Sequence, residues 1–194
     1  MENHINVIEK PEWVTWDDIK QCLTKAHAEN RSKGINMSHY QWPVDRIKDS
    51  LGEKGVVLVA LDGKNLVGTA AIGDKSGNNW YNSGSYAYIC FDAVVPDYFG
   101  KGIFKLLDGK REQLAKNRGY NTLVFDTHIK NIHRKKIALK NGYRLVRFFR
   151  AASKDHYSVV MAKWLDGCPY SSFYCWVKYQ MSRLNTLVRF PLKK

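Results

Sequence analysis

Two glycines between a predicted strand and a predicted helix carry the clearest chemical signal in this sequence. The segment from Pro96 to Phe104 reads P-D-Y-F-G-K-G-I-F and contains Gly100 and Gly102. Glycine lets a backbone approach an anion closely, and the first turn of a helix has N–H groups without internal partners and a partial positive charge. Such a turn can hold a pyrophosphate. A tight strand-to-helix turn without a ligand is the alternative interpretation.

Two common phosphate-binding motifs do not fit this segment. A Rossmann turn needs G-x-G-x-x-G in a repeated parallel unit, but Lys105 stands at the third glycine position and an antiparallel hairpin is predicted upstream. A P-loop needs G-x-x-x-x-G-K-[ST], which occurs nowhere in the chain. Neither a Rossmann fold nor a P-loop fold is expected.

Two motifs occur in a fixed order along the chain. The first is V-x-P-x-Y-x-G-K-G-I from Val94 to Ile103, and the second is N-x(10)-G-[FY] at Asn131, Gly142 and Tyr143. Together they resemble the GNAT family, the acyl-CoA-dependent N-acetyltransferases. The resemblance runs from about residue 16 to residue 163. It implies an α+β fold with a splayed mixed sheet of about six or seven strands flanked by helices.

The resemblance also implies that acetyl-CoA, as co-substrate, enters the splay of the sheet. Its pantetheine arm would pair with the strand before the glycine turn, and its pyrophosphate would lie on the amides of that turn. The residues that the resemblance assigns to the donor are Val94 and Val95 for pantetheine, Gly100, Lys101, Gly102, Ile103 and Phe104 for the pyrophosphate, and Asn131 near the thioester arm.

The sequence departs from the family pattern at three positions. Phe99 and Phe104 replace the first polar residue and the last small residue of the Q/R-x-x-G-x-G/A box. Ala138 stands where many members carry a tyrosine that protonates the leaving thiolate. A thiol of pKa about 8.5 leaves as a thiolate near pH 7.5 at a cost of roughly 1.4 kcal/mol. Turnover therefore survives the loss of that tyrosine, because solvent or another side chain can return the proton.

A neutral acceptor amine needs a base or a water chain beside it. Asp92, two residues before Val94 and so on the same side of the strand, is the first catalytic candidate, and His128 at the exit of the next strand is the second. A structural carboxylate and an ordinary loop histidine are the alternatives. His39 and Tyr40, in a polar stretch between two predicted helices, are candidates for substrate contact, with solvent exposure as the alternative.

Hydrophobic periodicity predicts a mostly antiparallel sheet with one parallel β-α-β unit. The predicted strands are 6–8, 56–61, 66–72, 86–95, 123–127, 143–149 and 156–162, and the predicted helices begin after Thr15, at Pro43, after Gly102 and at Asn131. We expect an acetyltransferase domain over residues 1–165 and a basic amphipathic extension over 166–194.

Composition narrows the class of protein. With 44% hydrophobic residues the chain can form a core, and no apolar run is long enough to span a bilayer. The four cysteines show no C-x-x-C pair and no zinc-ligand spacing, so we expect no metal and reduced thiols. We expect a cytoplasmic protein, with a peripheral contact at the inner membrane face left open.

The charge is strongly positive and unevenly distributed. Lys and Arg number 31 against 18 Asp and Glu, a net charge of +13. Residues 127–154 and 168–194 contain no acidic residue. In the second stretch, 173–190 forms an amphipathic helix pattern that fits an anionic membrane surface. Packing against the protein's own body or against a second subunit, as in a homodimer, is the alternative.

The sequence thus favours an enzyme that moves an acetyl group from acetyl-CoA to an amine acceptor by direct attack. The acceptor is expected to be a small molecule, for example an amino sugar, and a hydroxyl acceptor stays open. The alternative is a non-catalytic module of the same fold that binds nucleic acid or an anionic membrane. Nucleic acid is the less favoured partner, because no RNA-recognition signature is present.

Overall fold

The computed structural model describes residues 5–35, 42–82, 84–150 and 156–190. Its centre is a seven-stranded mixed sheet in the order β1-β2-β3-β4-β5-β7-β6. The strands are β1 (Ile5–Glu9), β2 (Val56–Asp62), β3 (Asn65–Ser76), β4 (Ser85–Val94), β5 (Thr122–His128), β6 (Arg144–Arg150) and β7 (Tyr157–Trp164). Only β4 and β5 pair in parallel; every other pairing in this sheet is antiparallel. The predicted mixed sheet with one parallel β-α-β unit is confirmed.

Helices cover both faces of the sheet. They are α1 (Trp16–Ala26), α2 (Ala28–Ser32), α3 (Val44–Asp49), α4 (Ile103–Asn117), α5 (Ile132–Lys140) and α6 (Ser172–Arg189). One core joins α1 and α3 to the sheet face that carries Val59 and Ala71, and two further cores join α4 and α5 to the opposite face. Among the described residues, no helix is long and apolar enough to cross a membrane.

The predicted start of α1 is confirmed in detail. The hydroxyl of Thr15 accepts a hydrogen bond from the Asp18 N–H at 3.1 Å, and the Asp18 carboxylate accepts one from the Thr15 N–H at 2.8 Å. This reciprocal capping box satisfies two N–H groups that the helix itself cannot. It fixes where α1 begins and hence how its apolar side, with Ile19 and Leu23, meets the sheet.

Strand β3 is longer than the sequence predicted. The predicted strand ends at residue 72, but β3 continues through a glycine- and serine-containing segment to Ser76 and pairs with β4 down to Ser85. Backbone hydrogen bonds to β4 hold this segment extended regardless of its side chains. The Asp74 N–H also donates to Leu51 O at 2.9 Å.

Helix α6 covers the outer edge of β6, the last strand of the sheet. Ser182 Oγ accepts a hydrogen bond from the Phe148 N–H at 2.9 Å, and the Thr186 hydroxyl donates to Phe148 O at 3.1 Å. An uncovered edge strand exposes unpaired N–H and C=O groups that invite aggregation. The hydroxyl-bearing side of α6 therefore faces the protein because it satisfies the backbone of β6.

We expect Ser182→Ala to lower the free energy of unfolding by about 1 to 3 kcal/mol, because the Phe148 N–H loses its acceptor. Urea denaturation followed by circular dichroism measures this. Asn185→Ala is the matched control, since Asn185 is exposed on the same helix and should change stability by no more than about 0.5 kcal/mol. Equal effects of the two variants would show that the hydroxyl does not hold α6 to the edge.

Candidate active site

A wedge opens between β4 and β5. The two strands are paired only at Ala87 with Leu123 and Tyr88 with Val124. Beyond these rungs β4 continues to Val94, while β5 continues to His128 paired only on its other side, with β7. The sheet is therefore splayed at its centre, and the backbone of β4 beyond Tyr88 has no strand beside it on the β5 side in the described chain.

A bulge in β4 marks the point where the strands part. Phe91 adopts a left-handed backbone with φ 55°, and the register against β3 shifts between Thr69 and Ala71. A bulky residue in that region costs about 1 to 3 kcal/mol and persists only when its surroundings fix it. The buried Thr69 hydroxyl does so by donating to Phe91 O at 2.7 Å, and His27 Nε2 donates to Asp92 O at 2.9 Å.

The predicted glycine turn lies directly after β4 and leads into α4. Gly100 and Gly102 have φ of 78° and 75°, and a Cβ at either would meet no atom within 4 Å. Glycine is needed there for its conformation and not for lack of space. In the described chain no side chain caps α4, and its first turn contains no acidic residue. The amides of Ile103 and Phe104 and the positive end of the helix are thus available to an anion.

Two contacts fix this turn and the helix after it to the sheet: the hydrogen bond of Tyr98 to Asp62 and the close packing of α4 on Gly68. The Tyr98 hydroxyl donates to Asp62 Oδ2 at 2.6 Å, which ties the turn to the end of β2, and Lys101 Nζ lies 4.2 Å from the centroid of the Tyr98 ring. Gly68 on β3 lets α4 pack closely, since a Cβ there would lie 3.2 Å from Leu107 Cδ1. The N-terminus of α4 is therefore held rigidly beside the wedge.

Val94 and Val95, the two predicted partners of the pantetheine arm, differ in how many of their backbone groups are already hydrogen-bonded. The Val95 N–H donates to Val67 O at 2.9 Å and its carbonyl accepts from the Tyr98 N–H at 3.0 Å. Val94 pairs with Gly68 on the β3 side. The Val95 N–H is already used and its carbonyl keeps one lone pair for a pantetheine arm, so Val94 is the more favourable of the two predicted partners.

Asp92 lies in a charge network and not in an open pocket. Its carboxylate accepts hydrogen bonds from Arg111 Nη1 on α4 and from Arg134 Nη2 on α5. Arg111 is fully buried and also donates to Asp108 at 2.5 Å. Burial by itself would raise the pKa of Asp92, but the two guanidinium groups outweigh it and lower the pKa. Asp92 is therefore ionised, with both oxygens bonded to cations, which favours the structural alternative over a role as base.

Arg134 spans the wedge, whereas the sequence placed it only in the basic stretch of residues 127–154. Its guanidinium carbon lies 4.4 Å from the ring centroid of Phe125 on β5 and 4.9 Å from that of Phe104 at the start of α4. Its ion pair with Asp92 reaches β4. One side chain thus connects both walls of the wedge with the helix that follows the glycine turn.

His128 is the last residue of β5, and Asn131 follows the strand at the start of α5, as the sequence predicted. Asn131 Oδ1 accepts from the Arg134 N–H at 3.2 Å, so this carbonyl caps α5. His128 is buried, its Nδ1 accepts from the Lys130 N–H at 3.0 Å, and its ring lies 4.5 Å from that of His156. Since a backbone N–H can only donate, Nδ1 is already in use, and a base at this nitrogen would have to release Lys130. Contact of Asn131 with the donor stays a prediction.

A tyrosine and a carboxylate at the closed end of the wedge were missed by the sequence reasoning. The Tyr88 hydroxyl donates to Asp126 Oδ1 across the gap between β4 and β5. By strand alternation both side chains lie on the face of the sheet opposite α4 and α5. The sequence held part of the signal, because Asp126 is the one carboxylate of β5 and follows the apolar run from Leu123 to Phe125. His39 and Tyr40 lie outside the described residues.

The described part of the site contains neither a cluster of metal ligands nor a disulfide. Among the described residues, no group of three His, Cys, Asp or Glu side chains is arranged to hold a metal ion. The four cysteines are unpaired thiols, two of them buried and one half-buried.

Comparison with known proteins agrees with this geometry. The structure is similar to the ribosomal-protein-S18-alanine N-acetyltransferase from Escherichia coli, with 13% identity, a TM-score of 0.62 and coverage of 86% of this chain and 97% of that one. It is also similar to a GNAT-family acetyltransferase from Staphylococcus aureus Mu50 (19% identity, TM-score 0.64, coverage 83% and 99%). An aminoglycoside 6'-acetyltransferase type Ii matches with 18% identity, a TM-score of 0.62 and coverage of 84% and 99%.

Two comparisons of the sequence itself give different results. A search of curated protein sequences finds no match to the chain. A sequence model of the Acetyltransferase (GNAT) family matches residues 16–143, which contain the wedge, the glycine turn and α5. This chain therefore belongs to the GNAT family of acetyltransferases.

Proposed function

We propose that this protein transfers an acetyl group from acetyl-CoA to the primary amine of a small polar molecule such as an amino sugar. Membership of the GNAT family supports acetyl transfer in general, with acetyl-CoA as the donor that the family uses. The observation that carries the proposal is the wedge between β4 and β5, which opens beside the N-terminus of α4.

The glycine turn suits the diphosphate of the donor. A diphosphate accepts hydrogen bonds from several backbone N–H groups at once, and a helix N-terminus favours its negative charge. The turn supplies the amides of Gly102, Ile103 and Phe104, and the same turn carries Lys101, whose ammonium lies over the Tyr98 ring. The phenylalanines at positions 99 and 104 leave this arrangement intact, because amides and not side chains bind the phosphates.

The reaction proposed is a direct transfer. The amine nitrogen attacks the thioester carbonyl carbon, the new C–N bond forms, the C–S bond breaks and CoA leaves as a thiolate. Backbone N–H groups on the unpaired edge of β4, between Tyr88 and Val94, would polarise the carbonyl as negative charge develops on its oxygen. The nitrogen becomes acidic once it bonds to carbon, and its proton passes to a base while solvent returns a proton to the thiolate.

A route through an acetylated cysteine is less favourable. Cys90 is the cysteine on β4, the strand that forms one wall of the wedge. Burial is the main cause that raises the pKa of its thiol to about 12, and the negative charge of Asp92 adds to it. A thiol is a nucleophile only as the thiolate, and at neutral pH this one is protonated. Direct attack by the amine needs no such intermediate.

Asp126 is a better candidate than Asp92 for the base that takes the amine proton. The oxygens of Asp92 are bonded to two guanidinium groups. Asp126 is exposed, and in the described chain no cation forms an ion pair with it. The Tyr88 hydroxyl donates to its carboxylate and orients it at the end of the wedge. An exposed carboxylate there also attracts the ammonium form of an amine substrate.

Turnover with a panel of amines tests the function itself. We expect release of CoA from acetyl-CoA above the spontaneous rate with small amino sugars, and a donor affinity at least about 100-fold weaker for acetyl-pantetheine, which lacks the diphosphate. Thiol release and calorimetry measure the two quantities. Turnover only with hydroxyl analogues would show that the acceptor is a hydroxyl and not an amine. Salt-sensitive RNA binding without any binding of CoA would instead indicate a non-catalytic module.

Asp126→Asn should lower kcat by about 100-fold or more, the usual contribution of a general base, and leave the affinity for acetyl-CoA unchanged. Tyr88→Phe should give a smaller loss, because it removes only the group that orients the carboxylate. Asp49→Asn, an exposed aspartate on α3, is the control, and an equal loss in that variant would argue against Asp126.

Asp92→Asn should act mainly on stability, with a loss of about 3 to 5 kcal/mol in the free energy of unfolding, as for other buried ion pairs that lose one partner. The folded pKa of Asp92 is lowered, so its contribution is present above its unfolded pKa of about 4 and is lost as the pH falls below that value. Urea denaturation as a function of pH measures this. Asp45→Asn removes an ion pair with Lys48 whose aspartate side chain is 90% exposed and should cost less than about 1 kcal/mol.

A further inference from the structure

The outward side of α6 is apolar and exposed. Phe173, Leu184 and Val188 are 72%, 64% and 81% exposed, and Trp176 and Met181 are exposed by more than half. These residues recur at helical spacing along the described length of α6, and the rings of Phe173 and Trp176 stack with centroids 6.1 Å apart. A continuous stripe of this kind on a protein surface marks an interaction site.

This arrangement is the reverse of an ordinary surface helix. A helix on a soluble domain turns its apolar side to the core and its polar side to water. Here the hydroxyls of Ser182 and Thr186 face the sheet because they satisfy the backbone of Phe148. Cys175 and Tyr179 complete the buried side. Of the apolar stripe that the sequence predicted, Leu187 packs against the protein's own core, whereas Phe173, Trp176, Leu184 and Val188 are exposed.

Positive charges flank the outward stripe on both sides. Lys178 and Arg189 lie along one flank by helical spacing, and Arg183 lies along the other. The chain contains no Asp or Glu after Asp166. The surface thus combines exposed aromatic and aliphatic side chains with cations alone, a pattern typical of helices that lie in the interface of an anionic bilayer.

A second copy of this chain fits the same surface less well. Two copies of α6 packed through their stripes would bring the flanking cations of each helix near those of the other. No carboxylate on either helix could offset that repulsion. Anionic phospholipid headgroups supply the missing negative charge, and the acyl chains beneath them supply an apolar phase for the stripe.

We propose that α6 is a membrane-surface helix that holds the acetyltransferase domain on bilayers rich in anionic phospholipid. The side chains of the outward stripe enter the boundary between headgroups and acyl chains, while the flanking cations lie at the level of the phosphates. Trp176 is suited to that depth, because its ring is apolar and its N–H is polar. The opposite side of α6 stays bonded to β6, so docking requires no unfolding of the domain.

Co-sedimentation of the full chain with vesicles tests this proposal. We expect binding to phosphatidylcholine vesicles that contain about one third phosphatidylglycerol, at least about tenfold weaker binding to pure phosphatidylcholine, and weakening at high salt. Leu184→Glu should reduce binding to the anionic vesicles by at least about tenfold, since it removes an inserted side chain and adds a repelled charge.

Leu139→Glu is the matched control, because Leu139 is an exposed leucine on α5, 44% exposed, and the substitution changes the net charge equally. It should bind vesicles as the wild-type chain does. The proposal is overturned if the wild-type chain does not bind anionic vesicles, if it binds neutral vesicles equally well, or if Leu184→Glu binds like Leu139→Glu. A wild-type dimer in sedimentation velocity that Leu184→Glu converts to monomers, without any vesicle binding, would assign the stripe to a second copy instead.

Discussion

The ion pairs of Asp92 hold together a sheet that lacks backbone pairing at its centre. Beyond two rungs, no backbone pairing joins β4 to β5 in the described part of the chain. Arg111 from α4 and Arg134 from α5 both bind the Asp92 carboxylate on β4. Arg134 also stacks on Phe125 of β5. The two halves of the sheet are therefore tied by side chains from the helices above it, and the wedge can stay open without separating.

The same constraint explains why the donor site and the charge network lie so close together. The edge of β4 beyond Tyr88 has no strand beside it on the β5 side in the described chain, and Phe91 lies on that edge with a φ of 55°. The buried guanidinium of Arg111 needs a carboxylate partner wherever it lies, and Asp92 follows the bulge directly. An aspartate at this position is thus committed to the ion pairs that hold the helices to the sheet.

Much of the fold could be predicted from local patterns, whereas the site depended on distant contacts. The capping box at Thr15 and the turn at Gly100 and Gly102 are local, and the structure has the helix start and the positive φ angles there. The pairing of Asp92 with Arg111 joins residues 19 positions apart on different elements. The hydrophobic periodicity of the sequence does not predict such a pair. The Tyr88–Asp126 contact spans 38 positions and forms because β4 and β5 are neighbours in the sheet.

Helix α6 shows why amphipathicity alone does not say which side of a helix is buried. The sequence pattern identified the apolar stripe, and the expectation for a soluble domain is that such a stripe packs inward. The edge of β6 imposes a stronger demand, since its unpaired N–H and C=O groups need hydrogen-bond partners that leucine or valine cannot provide. Ser182 and Thr186 meet that demand. Because Ser182 and Thr186 face the sheet, the helical repeat places Leu184 and Val188 on the outward side of α6, where both are exposed.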